Sequence, residues 1–212
     1  KSGTRDRMDI AKGAADDLFS TSGLNNVNAG LTGFTFGTSS SSGMCGGCDS
    51  FGKVLYPLID IDNATNRANL RAAAAALGVD GNTPLAGTLS QIGRYFVEGH
   101  NESLTLSSAN VTSPKNAYTF LSDEPDYAVS SYKPTAGNGV IEYSCQQNFV
   151  IALTDGAPST DSDYSDDLAK WDDNTVNHSN TSPGDLDDVA AALFDTDLRP
   201  DFTDDTNNIT TY

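Results

Sequence analysis

The chain has 212 residues, 37% of them hydrophobic, and 29 acidic against 12 basic side chains give a formal net charge of −17. That length supports one sizeable domain with a real core, and the apolar content is low for a globular chain but too high for a disordered one. The acidity excludes a nucleic-acid surface, which needs a basic stripe, and docking on anionic lipid; no apolar run approaches the roughly 20 residues that span a membrane.

Arg5 to Phe19 reads as an amphipathic helix, with Met8, Ala11, Ala15 and Leu18 recurring at helical spacing. Leu31 to Gly37 reads as a strand with Phe34 and Phe36 on one face. A Ser/Gly-rich loop over Thr38 to Gly52 follows. Val54 to Ile61 is apolar but contains Pro57, which marks an edge strand or a loop-to-strand transition. Asn66 to Leu77 is a second helix, with Leu70, Ala73, Ala74 and Leu77 on one face and Gly78 at its end. A third helix opens at Gly81-Asn82-Thr83-Pro84. Thr83 suits its cap, Pro84 its first turn, and Leu85, Leu89, Ile92 and Phe96 its buried stripe, with Gly99 closing it.

Residues 101–143 form a polar insertion with little periodicity. Phe149 to Leu153 is an unbroken apolar run of strand length, of the kind buried on both faces in a parallel sheet. It ends at Thr154-Asp155-Gly156, where open α/β sheets bind ligands, and Pro158 stops it. The acidic stretch Asp161, Asp163, Asp166, Asp167 and a short turn at Leu168 to Trp171 lead to a helix begun by Pro183, with Leu186, Val189, Ala190 and Leu193 inward. Ile209 to Tyr212 reads as the start of a last strand. The alternation of helices and strands gives an α/β class with a mainly parallel sheet.

Cys45-Gly46-Gly47-Cys48 is a lone CxxC with no second pair to complete a zinc site. It reads as a local disulfide of an exported protein; a bridge from one of the two to Cys145 is the other pairing. Any export signal is expected upstream of Lys1. Asn63, Asn110 and Asn208 head glycosylation sequons.

Two residues stand where chemistry is expected, Thr83 ahead of a helix and Asp155 at the tip of the central strand. Both are hard oxygen donors suited to Mg²⁺, Mn²⁺ or Ca²⁺ and not to zinc. Each also has a structural reading, Thr83 as an N-cap and Asp155 as a turn residue. The acidic stretch lacks the glycine and distal glutamate of an EF-hand loop and reads as solvated. No nucleophile elbow or phosphate loop occurs, and His100 and His178 lie in polar loops, so an enzyme is not expected.

Together, Gly81 to Leu85 and the strand ending Leu153-Thr154-Asp155-Gly156 resemble the von Willebrand factor A domain. The resemblance is closer to the A domain of the PilC/PilY family of type IV pilus tip-associated proteins. It is carried by Arg5 to Lys12, Asn82 to Ala86, Tyr95-Phe96, Ser113-Pro114, Cys145 to Gly156, Asp197 to Asp201 and Asn208 to Tyr212. It implies a Rossmann-like, mainly parallel sheet flanked by helices. Residues 1–212 would be a partial A domain, its first strand and Asp-x-Ser-x-Ser motif missing and expected before residue 1. It further implies a metal-ion-dependent adhesion site in which Thr83 and Asp155 help hold a divalent cation. The implied partners are minor pilins at the pilus tip and a host or abiotic surface, and the implied location is extracellular. Another secreted A-domain adhesion protein is the alternative; a metal-dependent hydrolase is the weaker one.

Overall fold

The computed structural model describes residues 6–21, 24–34, 52–78, 83–100, 105–106, 115–116, 126–154 and 186–212. Asp155, the CxxC, Phe36, the acidic stretch, the Leu168 to Trp171 turn, Pro183 and His178 lie outside them. Within them the chain is a mixed α/β protein with helices α1 (Arg7–Ser20), α2 (Ala64–Ala75), α3 (Leu85–Val97) and α4 (Leu186–Asp195). The strands are β1 (Asn28–Phe34), β2 (Gly52–Asp60), β3 (Thr105–Leu106), β4 (Lys115–Asn116), β5 (Asp126–Tyr127), β6 (Asn148–Val150) and β7 (Ile209–Thr211). No described helix is long and apolar enough to cross a membrane.

Two caps show how local sequence sets the helices. Asp6 accepts the Asp9 amide at 2.8 Å and opens α1; Asn63 accepts the Thr65 and Asn66 amides at 2.9 and 3.2 Å and opens α2. The inward face of α1 is carried by Ala15 and Phe19, whereas Leu18, expected inside, is 39% exposed. Helix α2 ends at Ala75, two residues before the expected Leu77, and its C-cap is Ala76 in the right-handed conformation, not Gly78. α1 and α2 bury Ala15, Phe19, Ile61, Leu70 and Ala74 between themselves and the sheet. Arg67 locks that corner by donating to the Ile61, Thr21 and Leu24 carbonyls at 2.7, 3.3 and 3.2 Å. The Arg71–Asp16 pair, at 2.6 Å, sits in solvent and adds little.

The strands form three small sheets: β1-β2-β5, β3-β4 and β6-β7. β1 and β2 are antiparallel, as are β3 and β4; β2–β5 and β6–β7 are parallel. β2 lies between β1 and β5 over Lys53 and Val54, but at Pro57 only β1 is beside it among the described residues, in keeping with the edge position that Pro57 suggests. The register slips between Ala29 and Leu31, so Pro57 falls in an irregularity of the β1–β2 ladder and no regular pair is broken. Gly30 faces that slip, where a Cβ would come within 3.0 Å of the Leu58 nitrogen and the Tyr56 carbonyl. β5 pairs only with Lys53 and Val54, short of the proline.

α3 is the central element. The expected stripe is present, with Leu85, Leu89 and Phe96 buried, but Ala86, Thr88, Ser90, Gln91, Gly93, Tyr95 and Val97 are buried as well. A helix buried on nearly all sides packs between neighbours; here β2 lies on one side and α4 on another. The main core gathers Val54, Leu89, Phe96, Val189, Leu193 and Ile209. Full burial of each such side chain favours folding by about 1.5–3 kcal/mol. Within the polar 101–143 stretch, Ile141 is fully buried in this core and β5 and a 3-10 turn (Ser130–Tyr132) add local structure.

β6 departs from the expectation of burial on both faces. Val150 packs on the core, yet Phe149, Ile151 and Leu153 are 53%, 56% and 55% exposed. Among the described residues β6 pairs only with β7, and no described helix covers its second face.

Candidate functional site

The predicted site has one member among the described residues. Thr83 is partly buried just ahead of α3. It is not the cap residue: that position falls to Pro84, and α3 opens without a side-chain cap bond because proline carries no acceptor there. The first turn is closed instead by backbone bonds, Leu85 donating to the Thr83 carbonyl and Thr88 to that of Pro84, both at 3.0 Å. Asp155 lies outside the described residues; Thr154, its neighbour in sequence, is exposed at the end of the β6 segment. Among the described residues no group of three or more His, Cys, Asp or Glu is placed to hold a metal ion. They supply one neutral hydroxyl, at Thr83, whereas Mg²⁺ and Ca²⁺ take about six to eight oxygen ligands. A cation here therefore requires Asp155 and further donors.

The stretch that leads into β6 is held by amide side chains. Gln146 accepts the Glu142 amide at 3.0 Å and donates to the Val140 carbonyl at 3.0 Å and to Asn148 Oδ1 at 2.8 Å. Asn148 Nδ2 in turn donates to the Asn208 carbonyl at 3.1 Å, tying β6 to the start of β7. Asn207 is fully buried, and its Nδ2 lies 3.2, 3.1 and 3.0 Å from the carbonyl oxygens of Tyr143, Ser144 and Gln146. The sequence reading singled out Cys145 to Asn148 by resemblance but passed over Asn207; an Asn flanking an apolar strand gives no periodic signal. Cys145 is exposed and free; Cys45 and Cys48, its possible partners, lie outside the described residues.

A second concave region, of about 450 Å³, lies between the end of α3, the 137–142 segment and the 199–202 segment. Gly99 (φ 85°) and Gly137 (φ 81°) take left-handed backbone there, and Gly137 donates to the Gly99 carbonyl at 2.8 Å. Arg199 grips Asp201 with Nε and Nη2, both at 2.7 Å, donates Nη1 to the Ile141 carbonyl, and lies 3.8 Å over the Phe202 ring. The guanidinium holds the Asp201 carboxyl below the ordinary carboxylate range, chiefly through those hydrogen bonds. His100 is pushed below the ordinary imidazole range by burial and then by the Arg199 charge, against the opposing pull of Asp201 and a bond to the Phe96 backbone. Each Arg199 nitrogen already serves a protein acceptor, so the arrangement works as a staple between two loops.

That depression has a pH consequence. Folding disfavours protonation of His100, whereas the unfolded chain takes up a proton near its ordinary pKa of about 6.5. The stabilising contribution is thus complete above that value and is lost as pH falls through the lower folded pKa. A His100→Asn variant is expected to lose less stability between pH 7.5 and 5.5 than the parent. Urea midpoints at both pH values measure this, and the relief of the overall negative charge on acidification cancels between the two proteins. Equal losses would refute the assignment.

No protein-family model, curated protein or solved structure matches the chain.

Proposed function

We propose that the chain is part of a von Willebrand A-type domain of an exported, pilus-associated binding protein. In this reading Thr83 and Asp155 contribute oxygen donors to a divalent-cation adhesion site. The observation that carries it is the crossover from β6 through α4 to the parallel β7. Parallel neighbours need such a crossover, and in open α/β sheets ligands bind beyond the carboxyl ends of the strands. In the sequence, Asp155 follows the run Phe149–Leu153 by two residues. The mainly parallel sheet of the family belongs to the same proposal. The net charge of −17 suits a protein that meets partners through a bound cation and not through a basic surface.

Within such a site the cation would supply a positive centre for an anionic group of the partner. Thr83 would offer a neutral hydroxyl from the start of α3, and Asp155 a carboxylate at the strand tip. The test is made in the full-length protein. Asp155→Ala is expected to abolish Mg²⁺- or Ca²⁺-dependent attachment to a surface and the heat of cation binding seen by calorimetry. Thr83→Ala is expected to weaken both about tenfold, the equivalent of one lost ligand bond of ~1.4 kcal/mol. Attachment and cation binding unchanged in Asp155→Ala would sink the proposal.

A further inference from the structure

Asn138-Gly139 is the sole Asn-Gly pair in the sequence, and both residues line the cavity beside His100 and Arg199. The turn before the pair is fixed. Gly137 supplies the positive φ, 81°, at the third position of the turn Thr135–Asn138, and the Asn138 backbone N–H donates to the Thr135 carbonyl at 2.8 Å. Residue 139 must itself be small. The His100 ring rests against the Gly139 Cα, and a Cβ there would overlap ring atoms Cε1, Nδ1 and Nε2. Packing thus demands, after Asn138, the residue whose backbone nitrogen is least shielded from a neighbouring side chain.

Asn138 is exposed, and among the described residues neither its carboxamide nor the Gly139 N–H takes part in a hydrogen bond. An electrophilic carbon and a backbone nitrogen therefore stand side by side, with no other bond to hold either. We propose that Asn138-Gly139 is a self-modifying site, which with time adds a carboxylate to the cavity around His100. The Gly139 nitrogen bonds to Asn138 Cγ, the Cγ–Nδ2 bond breaks, and Nδ2 leaves as ammonia with the proton that Gly139 gives up. Water then opens the cyclic imide at either carbonyl. One opening gives aspartate, the other isoaspartate, in which the main chain runs through the former side chain. Water is the only co-reactant.

The charged groups around His100 show what the product would change. The 199–202 segment brings the Arg199 guanidinium and the Asp201 carboxylate that it grips, and the 137–142 segment brings Glu142. On α3, Glu98 pairs with Arg94 at 3.2 Å and with Lys133 at 3.8 Å. Asn138 is the neutral polar member of this rim. A carboxylate in its place adds a negative charge, and a negative charge near an imidazole favours its protonated form. Conversion should therefore ease protonation of His100 and reduce the stability that the fold loses on acidification. The inference rests on the 135–139 turn and its cavity and does not depend on a cation at Thr83 and Asp155.

The test holds the full chain at neutral pH for several weeks and maps its peptides by mass spectrometry. Amide-to-acid conversion, with isoaspartate the main product, should run at least tenfold faster at Asn138 than at Asn28, Asn63 or Asn66, which are followed by alanine or arginine. Asn138→Gln, whose longer side chain closes a ring far more slowly, should leave the site unconverted. Asn138→Asp supplies the charge at once and should raise the His100 protonation constant at least twofold. That constant is read from the imidazole resonance that His100→Asn removes, and circular dichroism checks that each variant folds. Two results would each overturn the proposal. One is conversion at Asn138 no faster than at the other three asparagines, which would mean that the turn keeps Cγ away from the Gly139 nitrogen. The other is an unmoved His100 titration in Asn138→Asp, which would put the new charge outside the cavity.

Discussion

Replacing Asn207 with alanine is expected to lower the unfolding free energy by about 2–4 kcal/mol, which for a chain of this size lowers Tm by roughly 5–15 °C. The side chain is fully buried and faces three carbonyl oxygens of the Tyr143 to Gln146 turn at 3.0–3.2 Å. An amide nitrogen has two hydrogens, so about two full bonds are shared among the three acceptors. Alanine removes both and leaves the carbonyls without their donor. One effect runs the other way: Asn207 Oδ1 is itself buried with no hydrogen-bond partner, and removing it returns about 1 kcal/mol of desolvation. The loss still wins, because several acceptors are stranded and one is relieved. The backbone bonds of Asn207, to Asp197 Oδ1 at 3.1 Å and from Leu198 at 2.7 Å, survive the change. Asn207→Asp is expected to be worse than alanine, since it turns a carboxylate towards three carbonyls. Urea unfolding followed by circular dichroism measures both; a loss below about 1 kcal/mol for alanine would show that the turn is held by other contacts.

The expected cost is large because of what this turn does. Asn207 precedes β7 and the turn precedes β6, so the side chain joins the two segments just before they pair. Gln146 and Asn148 extend the same link, from the Val140 carbonyl to that of Asn208. The run Phe149 to Leu153 thus reaches its place through neutral amide groups and not through ion pairs, and this part of the structure should be insensitive to salt.

How much of this was legible in the sequence varied with how local the cause was. The inward faces of helices α3 and α4 were legible in part, because Leu85, Leu89, Phe96, Val189 and Leu193 repeat at helical spacing and are all buried; the expected start of α4 at Pro183 lies outside the described residues. The last strand was also placed correctly, at Ile209. Pro57 spoke for an edge, and β5 does stop short of it at Val54, but the slip opposite Gly30 is not written in any local pattern. For β6, an apolar run states that a strand can be buried on both faces, not that a neighbour is present to cover it. Thr83 had a cap's composition and position, yet Pro84 took the place at the helix boundary. Asn207 and Arg199 were invisible for another reason. Each acts on carbonyls 58 to 64 residues away in sequence, and a hydrogen bond of that span leaves no periodic trace.

Gly93 and Gly13, two of the helical glycines, should respond to alanine with opposite signs. At Gly13, in α1, a Cβ would meet nothing within 4 Å. Gly13→Ala should therefore gain most of the helix-propensity difference, about 0.5–1 kcal/mol. At Gly93, in α3, the same atom would sit 2.5 Å from Leu193 Cδ2 and 3.3 Å from Cδ1. Leu193 is the far end of a flexible side chain, but it is 2% exposed and packed in the main core, so it cannot turn away without displacing its neighbours. Overpacking of this kind costs about 1–3 kcal/mol, more than the propensity gain. Gly93→Ala should be net destabilising by about 1 kcal/mol and Gly93→Val by about 3 or more, because valine adds a branched methyl and loses helix propensity. Urea midpoints of the three variants test this, and stabilisation by Gly93→Ala would mean that α3 and α4 are not in close contact. The contact matters beyond stability. α3 begins just after Thr83, and α4 is the crossover that brings β7 beside β6. Wedging the two helices apart at Gly93 should therefore disturb the pairing that carries the chain to Thr154 and Asp155, and amide exchange at Val150 and Ala152 should rise in Gly93→Val but not in Gly13→Ala.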